Sequence, residues 1–145
     1  MFKHILLPSD GSPLSEAAMR KGIQFAKTIN ARVTGFCVTP KLRYFSYDSD
    51  IGREFEKQAA AAVQAEVAKN LLAIKKAAKE AGVPCDTAQE KSDEPYEAII
   101  AAAQKRQCDL IIMASHGRRG GEGLLLGSET QKVLTHSKIP VLVYR

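Results

Sequence analysis

The sequence predicts an α/β fold, an open five-stranded parallel sheet wound on both faces by helices. Three observations carry that expectation. The chain has 145 residues, the length of one domain able to bury a core of its own. Short apolar runs alternate with longer stretches of helical period in the order β-α-β-α-β-α-β-α-β, with no internal repeat and no linker-like composition. The strand candidates are apolar on both faces, as in strands covered by helices above and below.

The first strand runs from Lys3 to Ser9 around Ile5-Leu6-Leu7, and Pro8 ends it. Ser9-Asp10-Gly11-Ser12-Pro13 is turn chemistry, with Ser12 and Pro13 placed as N-cap and first helical residue. Leu14, Ala18, Gly22, Phe25 and Ile29 then mark one helix face, and Asn30 suits a left-handed close. Ala31 to Val38 is a second strand, stopped by Thr39-Pro40. Lys41 to Gly52 carries Tyr44, Phe45 and Tyr47 without a clean period and reads as a loop able to fold over a site or onto a partner.

From Arg53 to Ala81, one stripe holds Ala60, Val63, Val67, Leu71, Ile74, Ala78 and Ala81. It predicts a single helix of roughly 40 Å, ended at Gly82 and Pro84. Pro84 to Lys91 is a short, polar strand. Ser92-Asp93-Glu94-Pro95 opens a third helix with Ala98, Ile99, Ala102 and Ala103 inward. Asp109 to Ala114 is the fourth strand, Ser128 to Ser137 the fourth helix and Ile139 to Tyr144 the last strand. Ser128 to Gln131 reads S-x-x-Q, a capping box expected to start that helix.

Composition narrows the function classes. The 45% hydrophobic and 26% charged fractions are those of an ordinary globular chain. No apolar run reaches the roughly 18 residues a membrane span needs, and the N-terminal apolar run is too short for an export signal, so a cytoplasmic location is expected. The net charge of +5 is scattered, with Lys and Arg interleaved with Glu in the long helix, so nucleic acid is not expected as a partner. Cys37, Cys85 and Cys108 are widely spaced and odd in number, which argues for free thiols. They form no ligand-spaced cluster with His4, His116 or His136, so no metal site is expected.

The stretch with chemistry is Asp109 to Ser128, a buried strand that opens through a glycine-rich basic loop onto a helix N-terminus. Backbone N–H groups there lack internal partners, and the helix dipole favours negative charge. Parallel sheets of this kind bind ligands beyond the carboxyl ends of their strands, where Ser9-Asp10-Gly11, Val38-Thr39, Lys91-Ser92 and Ala114-Ser115-His116-Gly117 fall. Gly117 and Gly127 either let phosphate approach the backbone or only shape turns. Arg118 and Arg119 either neutralise phosphate or are solvated. No G-x-x-x-x-G-K-[ST], complete G-x-G-x-x-G or G-x-S-x-G is present.

Gly117, nine residues, then Gly127-Ser128 resembles the universal stress protein signature G-x-x-G-x9-G-[ST]. The opening Lys3 to Ser12 and closing Ile139 to Tyr144 extend the resemblance over the whole chain. It implies a three-layer, adenine-nucleotide-binding Rossmann-like fold with strand order 3-2-1-4-5. It also implies ATP, with Mg²⁺, as the ligand of the binding branch of the family. By position, the resemblance puts Pro8, Ser9 and Asp10 beside the nucleoside and the backbone of Val38 on the adenine edge. Met113 and Ala114 fall near the base and ribose. His116, Gly117, Arg118, Gly127, Ser128, Glu129 and Thr130 fall around the phosphates. The signature's first glycine is Ala114 here. A positive φ would strain alanine at that position, whereas a requirement for small size alone would not.

The expected function is a stress-related module that binds ATP and acts through the bound state. Its expected homodimer pairs through the last strand, Val141 to Tyr144. No residue set supplies a convincing nucleophile or general base. Two alternatives stand beside this reading: a nucleotide-free dimer that docks a protein partner, and a slow ATPase or a phosphate- or adenylate-transferring enzyme.

Overall fold

Among the described residues, nine elements follow one another as the apolar pattern predicts. The structure, a computed structural model, describes residues 1–41, 50–118, 120 and 125–145. The elements are β1 (His4–Pro8), α1 (Pro13–Ile29), β2 (Arg32–Thr39), α2 (Asp50–Ala81), β3 (Cys85–Lys91), α3 (Pro95–Lys105), β4 (Leu110–Ala114), α4 (Ser128–His136) and β5 (Val141–Tyr144). Tyr44, Phe45 and Tyr47 lie outside the described residues, as do Arg119, Gly121, Glu122 and Gly123 of the glycine-rich loop.

The strands form one parallel sheet in the order β3-β2-β1-β4-β5. The two-residue alternation of a strand divides its core in two. Ile5 and Leu7 of β1 and Leu110 and Ile112 of β4 face α1 and α2, meeting Met19, Ile23, Ile74 and Ala78. Leu6, Ile111 and Met113 face the other way, onto Ala98, Ile99, Ala102 and Ala103 of α3 and Val133 of α4. These two layers explain why the inner strands are apolar on both faces. At the far end of the sheet, both carboxylate oxygens of Asp109 accept backbone N–H groups, from Lys3 at 2.8 Å and His4 at 3.0 Å.

The local signals for α1 hold in the structure. Ser12 Oγ accepts the Ser15 N–H at 3.3 Å, Pro13 is the first helical residue, and Asn30 closes the helix at φ 58°. The boundaries of α2 differ from expectation: it starts at Asp50, and only Val67, Ile74 and Ala78 are buried. The expected stripe is real, but at its N-terminal end Ala60 stays exposed and Val63 is only half-buried.

The capping box is a correction. Ser128 is the first residue of α4, and the N-cap is Gly127, at φ −72° and ψ 157°, with no side-chain cap bond. Gln131 reaches past the helix start, donating from Nε2 to the Leu126 carbonyl at 3.2 Å. The box fails because the extended residue that leads into the helix is the glycine, one position earlier than the serine.

Candidate functional site

The sheet order reverses between β1 and β4. Their following helices leave to opposite faces, α1 to one core and α4 to the other. The loops at that switch part and leave a crevice. It holds a cleft of about 470 Å³ lined by Gly11, Ser12, Pro13 and Leu14 on one side and His116, Gly117, Arg118 and Gly120 on the other. That size lies within the usual range of small-ligand pockets.

Asp10 bridges the two walls. Its Oδ1 accepts the Ser12 N–H at 2.9 Å, and its Oδ2 accepts the Arg118 N–H at 2.9 Å across the cleft. Burial pushes this carboxyl up. Hydrogen bonding from Ser12 and from the Arg118 N–H, with the Arg118 charge, outweighs burial and holds it below its ordinary value. Asp10 is therefore a fixed negative charge at neutral pH. The turn beneath it is tied by hydroxyls: Ser15 Oγ donates to Ser9 Oγ at 3.1 Å, and the Gly11 N–H donates to the same Ser9 Oγ at 3.2 Å. Gly11 sits at φ +78°, a conformation that suits glycine.

Two signature glycines have steric reasons. A Cβ on Gly117 would collide with Asp10 Oδ2, so the Asp10–Arg118 bridge requires glycine there. A Cβ on Gly127 would lie 3.1 Å from the His116 Cα and 3.3 Å from the Ser115 carbonyl oxygen. Gly127 donates its N–H to that same carbonyl at 2.6 Å. The start of α4 is thus pinned against the end of β4. Thr130 reinforces the pin, its buried Oγ1 donating to the Ala114 carbonyl at 2.9 Å. The N–H groups of Ser128, Glu129 and Thr130 form the first turn of α4, where a helix offers donors without internal acceptors.

Ala114 lies within β4, in register with Tyr144, and is not a positive-φ residue. Alanine therefore carries no left-handed backbone strain at this position. Met113 is buried in the α3–α4 core, and the side chain of Val38, near the end of β2, packs half-buried against the same cluster. Pro8 pairs with Phe36, and the Ser9 N–H donates to the Phe36 carbonyl at 2.9 Å, which fixes where the Asp10 turn begins. His116 Nδ1 lies 3.2 Å from Ser115 Oγ.

Two site residues send their side chains elsewhere. The Arg118 guanidinium pairs with Glu66 of α2 at 3.2 Å, with both side chains about half exposed. Glu129 turns its carboxylate to α3, where Oε2 accepts the Tyr96 N–H at 2.9 Å. Its backbone lies in the first turn of α4. Sequence reasoning missed the contribution of α2: besides Glu66, the Asn70 amide packs so closely on Gly11 that a Cβ there would lie 2.7 Å from it. Glu66 and Asn70 are one helical turn apart on a polar face, and nothing in their spacing signals a contact made across the fold.

Chemically, the arrangement offers a fixed carboxylate on one wall and backbone donors on the other. That suits a ligand with hydroxyls at one end and anionic oxygens at the other. Among the described residues, no three His, Cys, Asp or Glu side chains cluster as a metal site, and no helix is long and apolar enough to cross a membrane. All three cysteines are free. Burial, with a smaller push from Asp10, raises the Cys37 thiol to about 12, and burial raises Cys108 to about 11, so both stay protonated.

The family model of the universal stress proteins matches residues 1–145. A universal stress protein of Thermus aquaticus is 32% identical over 149 residues, covering all of both chains. The solved structure of the protein MJ0577 superposes with a TM-score of 0.81 at 29% identity, covering 99% of this chain and 95% of that one. A universal stress protein solved in complex with cAMP superposes with a TM-score of 0.73 at 24% identity, covering 99% of this chain and 97% of that one.

Proposed function

Because the chain belongs to the universal stress protein family, we propose that it binds ATP, with Mg²⁺ on the phosphates, in the crevice between the β1–α1 and β4–α4 loops. It acts there as a regulatory module read through its bound state, not as a fast enzyme. One observation carries the reading: Gly127 holds the N-terminus of α4 against Ser115 and His116, and His116 in turn lines the Asp10 cleft. Backbone donors without internal acceptors at a helix N-terminus suit phosphate oxygens.

In this reading, Asp10 accepts from the ribose, with Pro8 and Ser9 fixing its turn. The Val38 backbone meets the adenine edge, and Met113 and Ala114 form the floor. Gly117, Gly127, Ser128, Glu129 and Thr130 present N–H or hydroxyl groups to the phosphates. His116 and Arg118 flank them, and Arg118 must leave Glu66 to reach an anion. Magnesium retains several waters and is commonly held through substrate phosphates, so it needs no protein cage. The cAMP complex of a fold neighbour supports adenine nucleotide as the ligand class. The protein works as a homodimer in the cytoplasm, pairing through Val141–Tyr144. This strand lies at one end of the sheet, with Leu142 41% exposed.

Denaturing the purified protein should release adenine nucleotide, and titration calorimetry of emptied protein with Mg-ATP should show heat that saturates. Gly127→Val should abolish that heat, because its side chain meets the His116 and Ser115 backbone and shifts the start of α4, while circular dichroism should show the other helices kept. No released nucleotide together with no heat would refute ATP binding. Unchanged affinity in Gly127→Val would place the phosphates elsewhere.

A further inference from the structure

A second concavity lies at the opposite end of the sheet from the nucleotide crevice. It has a volume of about 500 Å³ and lies between α2 and the start of β3, lined by Leu72, Lys75, Lys76, Lys79, Val83 and Cys85. The four α2 residues follow one another at i, i+3, i+4 and i+7, so they form one helical face. Leu72 is 66% exposed. None of the three lysines has an ion pair among the described residues, although Glu80 follows Lys79 directly.

This face stands beside an open strand. β3 ends the sheet and pairs only with β2 among the described residues. The Pro84 carbonyl accepts the Val33 N–H, and the Ser92 N–H donates to the Thr39 carbonyl, so even-numbered residues bond inward. In a parallel ladder, the N–H and C=O of the intervening residues then point outward. Cys85, Thr87, Gln89 and Lys91 therefore present free backbone donors and acceptors along the edge. Side chains alternate as well: Cys85 packs on the α1–α2 core and Ala88 on the α3–α4 core. Asp86 and Glu90 share the Ala88 face, away from the lysines.

We propose that this edge takes an acidic protein segment in extended conformation, which adds beside β3 and places alternate carboxylates against Lys75, Lys76 and Lys79. Strand addition supplies affinity through main-chain bonds and specificity through alternate side chains. The lysines select acidic residues on one face of the incoming strand. Asp86 and Glu90 select basic or neutral residues on the other. A second copy of this chain does not fit. A two-fold axis normal to the sheet, pairing β3 with β3, would bring the two lysine faces together with like charges opposed.

The test is fluorescence anisotropy with a labelled peptide in which Glu alternates with Thr, against a peptide of the same composition with its glutamates in one block. The alternating peptide should bind, and the block peptide should bind more weakly. Replacing Lys75, Lys76 and Lys79 together by Gln should weaken binding about tenfold, the sum expected of three exposed charge pairs. Gln89→Pro removes an outward N–H without touching the β2 ladder and should abolish binding. If Gln89→Pro fails to fold by circular dichroism, the two peptides decide the matter alone. Equal binding of both peptides overturns the proposal, as does unchanged affinity in the triple variant. Binding to phosphatidylserine vesicles without binding to the alternating peptide would make the surface a lipid site and overturn it as well.

Discussion

Asp10 and His4 lie on one short strand and its turn, yet they respond to acid in different windows. His4 is buried, with Nε2 2.7 Å from Thr34 Oγ1. Burial lowers its pKa below 6.5, and the Arg32 charge adds to that, against upward pulls from the Arg106 backbone, Asp109 and Asp86. The unfolded chain therefore holds more protons than the folded one below that value. The His4 contribution to stability is complete above pH 6.5 and is lost as pH falls toward the lowered pKa. The Asp10 carboxyl is also lowered, from 3.8, so its contribution is complete above that pH and is lost only below it. Urea unfolding across a pH series should show stability falling first below the upper value and again below the lower one. His4→Gln should flatten the first fall and Asp10→Asn the second. If neither variant changes the profile, these residues do not govern acid stability.

At the scale of elements, α3 and α4 stabilise each other in a way no local pattern announces. The N-cap of α3 is Glu94, which makes no side-chain cap bond. Glu129, reaching over from α4, bonds the Tyr96 N–H instead, while its other oxygen pairs with Lys132 at 3.4 Å. Glu129→Ala should lower stability by about 0.5–2 kcal/mol, the range for losing a cap. Because that side chain faces α3, affinity for Mg-ATP should change little. A large loss of affinity without loss of stability would return the carboxylate to the nucleotide site. Local signals read well where the partner is near in sequence, as with Ser12, Pro13 and Asn30 around α1. They misread Ser128, because the cap depends on which residue is extended rather than on which carries a hydroxyl. The α2 stripe was legible as a period, but periodicity carries no information on where the sheet beneath it stops.

At the scale of the molecule, the two-sided core was legible because every inner strand is apolar on both faces, whereas the strand order came from the resemblance to universal stress proteins. The crevice followed from order alone. The contacts that finish it, Glu66 to Arg118 and Asn70 on Gly11, join segments far apart in sequence and left no mark in spacing. The β5 edge carries its own prediction. Leu142→Glu should convert a dimeric mass in light scattering to a monomeric one, because an exposed charge on an edge strand opposes pairing. A monomeric mass in the unaltered protein would remove the dimer altogether. The bridge between the cleft walls has one more consequence, in the order of synthesis. Asp10 and Arg118 are 108 residues apart, so at translation rates of about 5–20 residues per second the carboxylate waits roughly 5–20 s for its partner. During that interval the nascent chain has α1, β2 and α2 but no second wall. A ligand that needs both walls therefore cannot template the early half of folding, and it can only select chains whose last third has already emerged and docked.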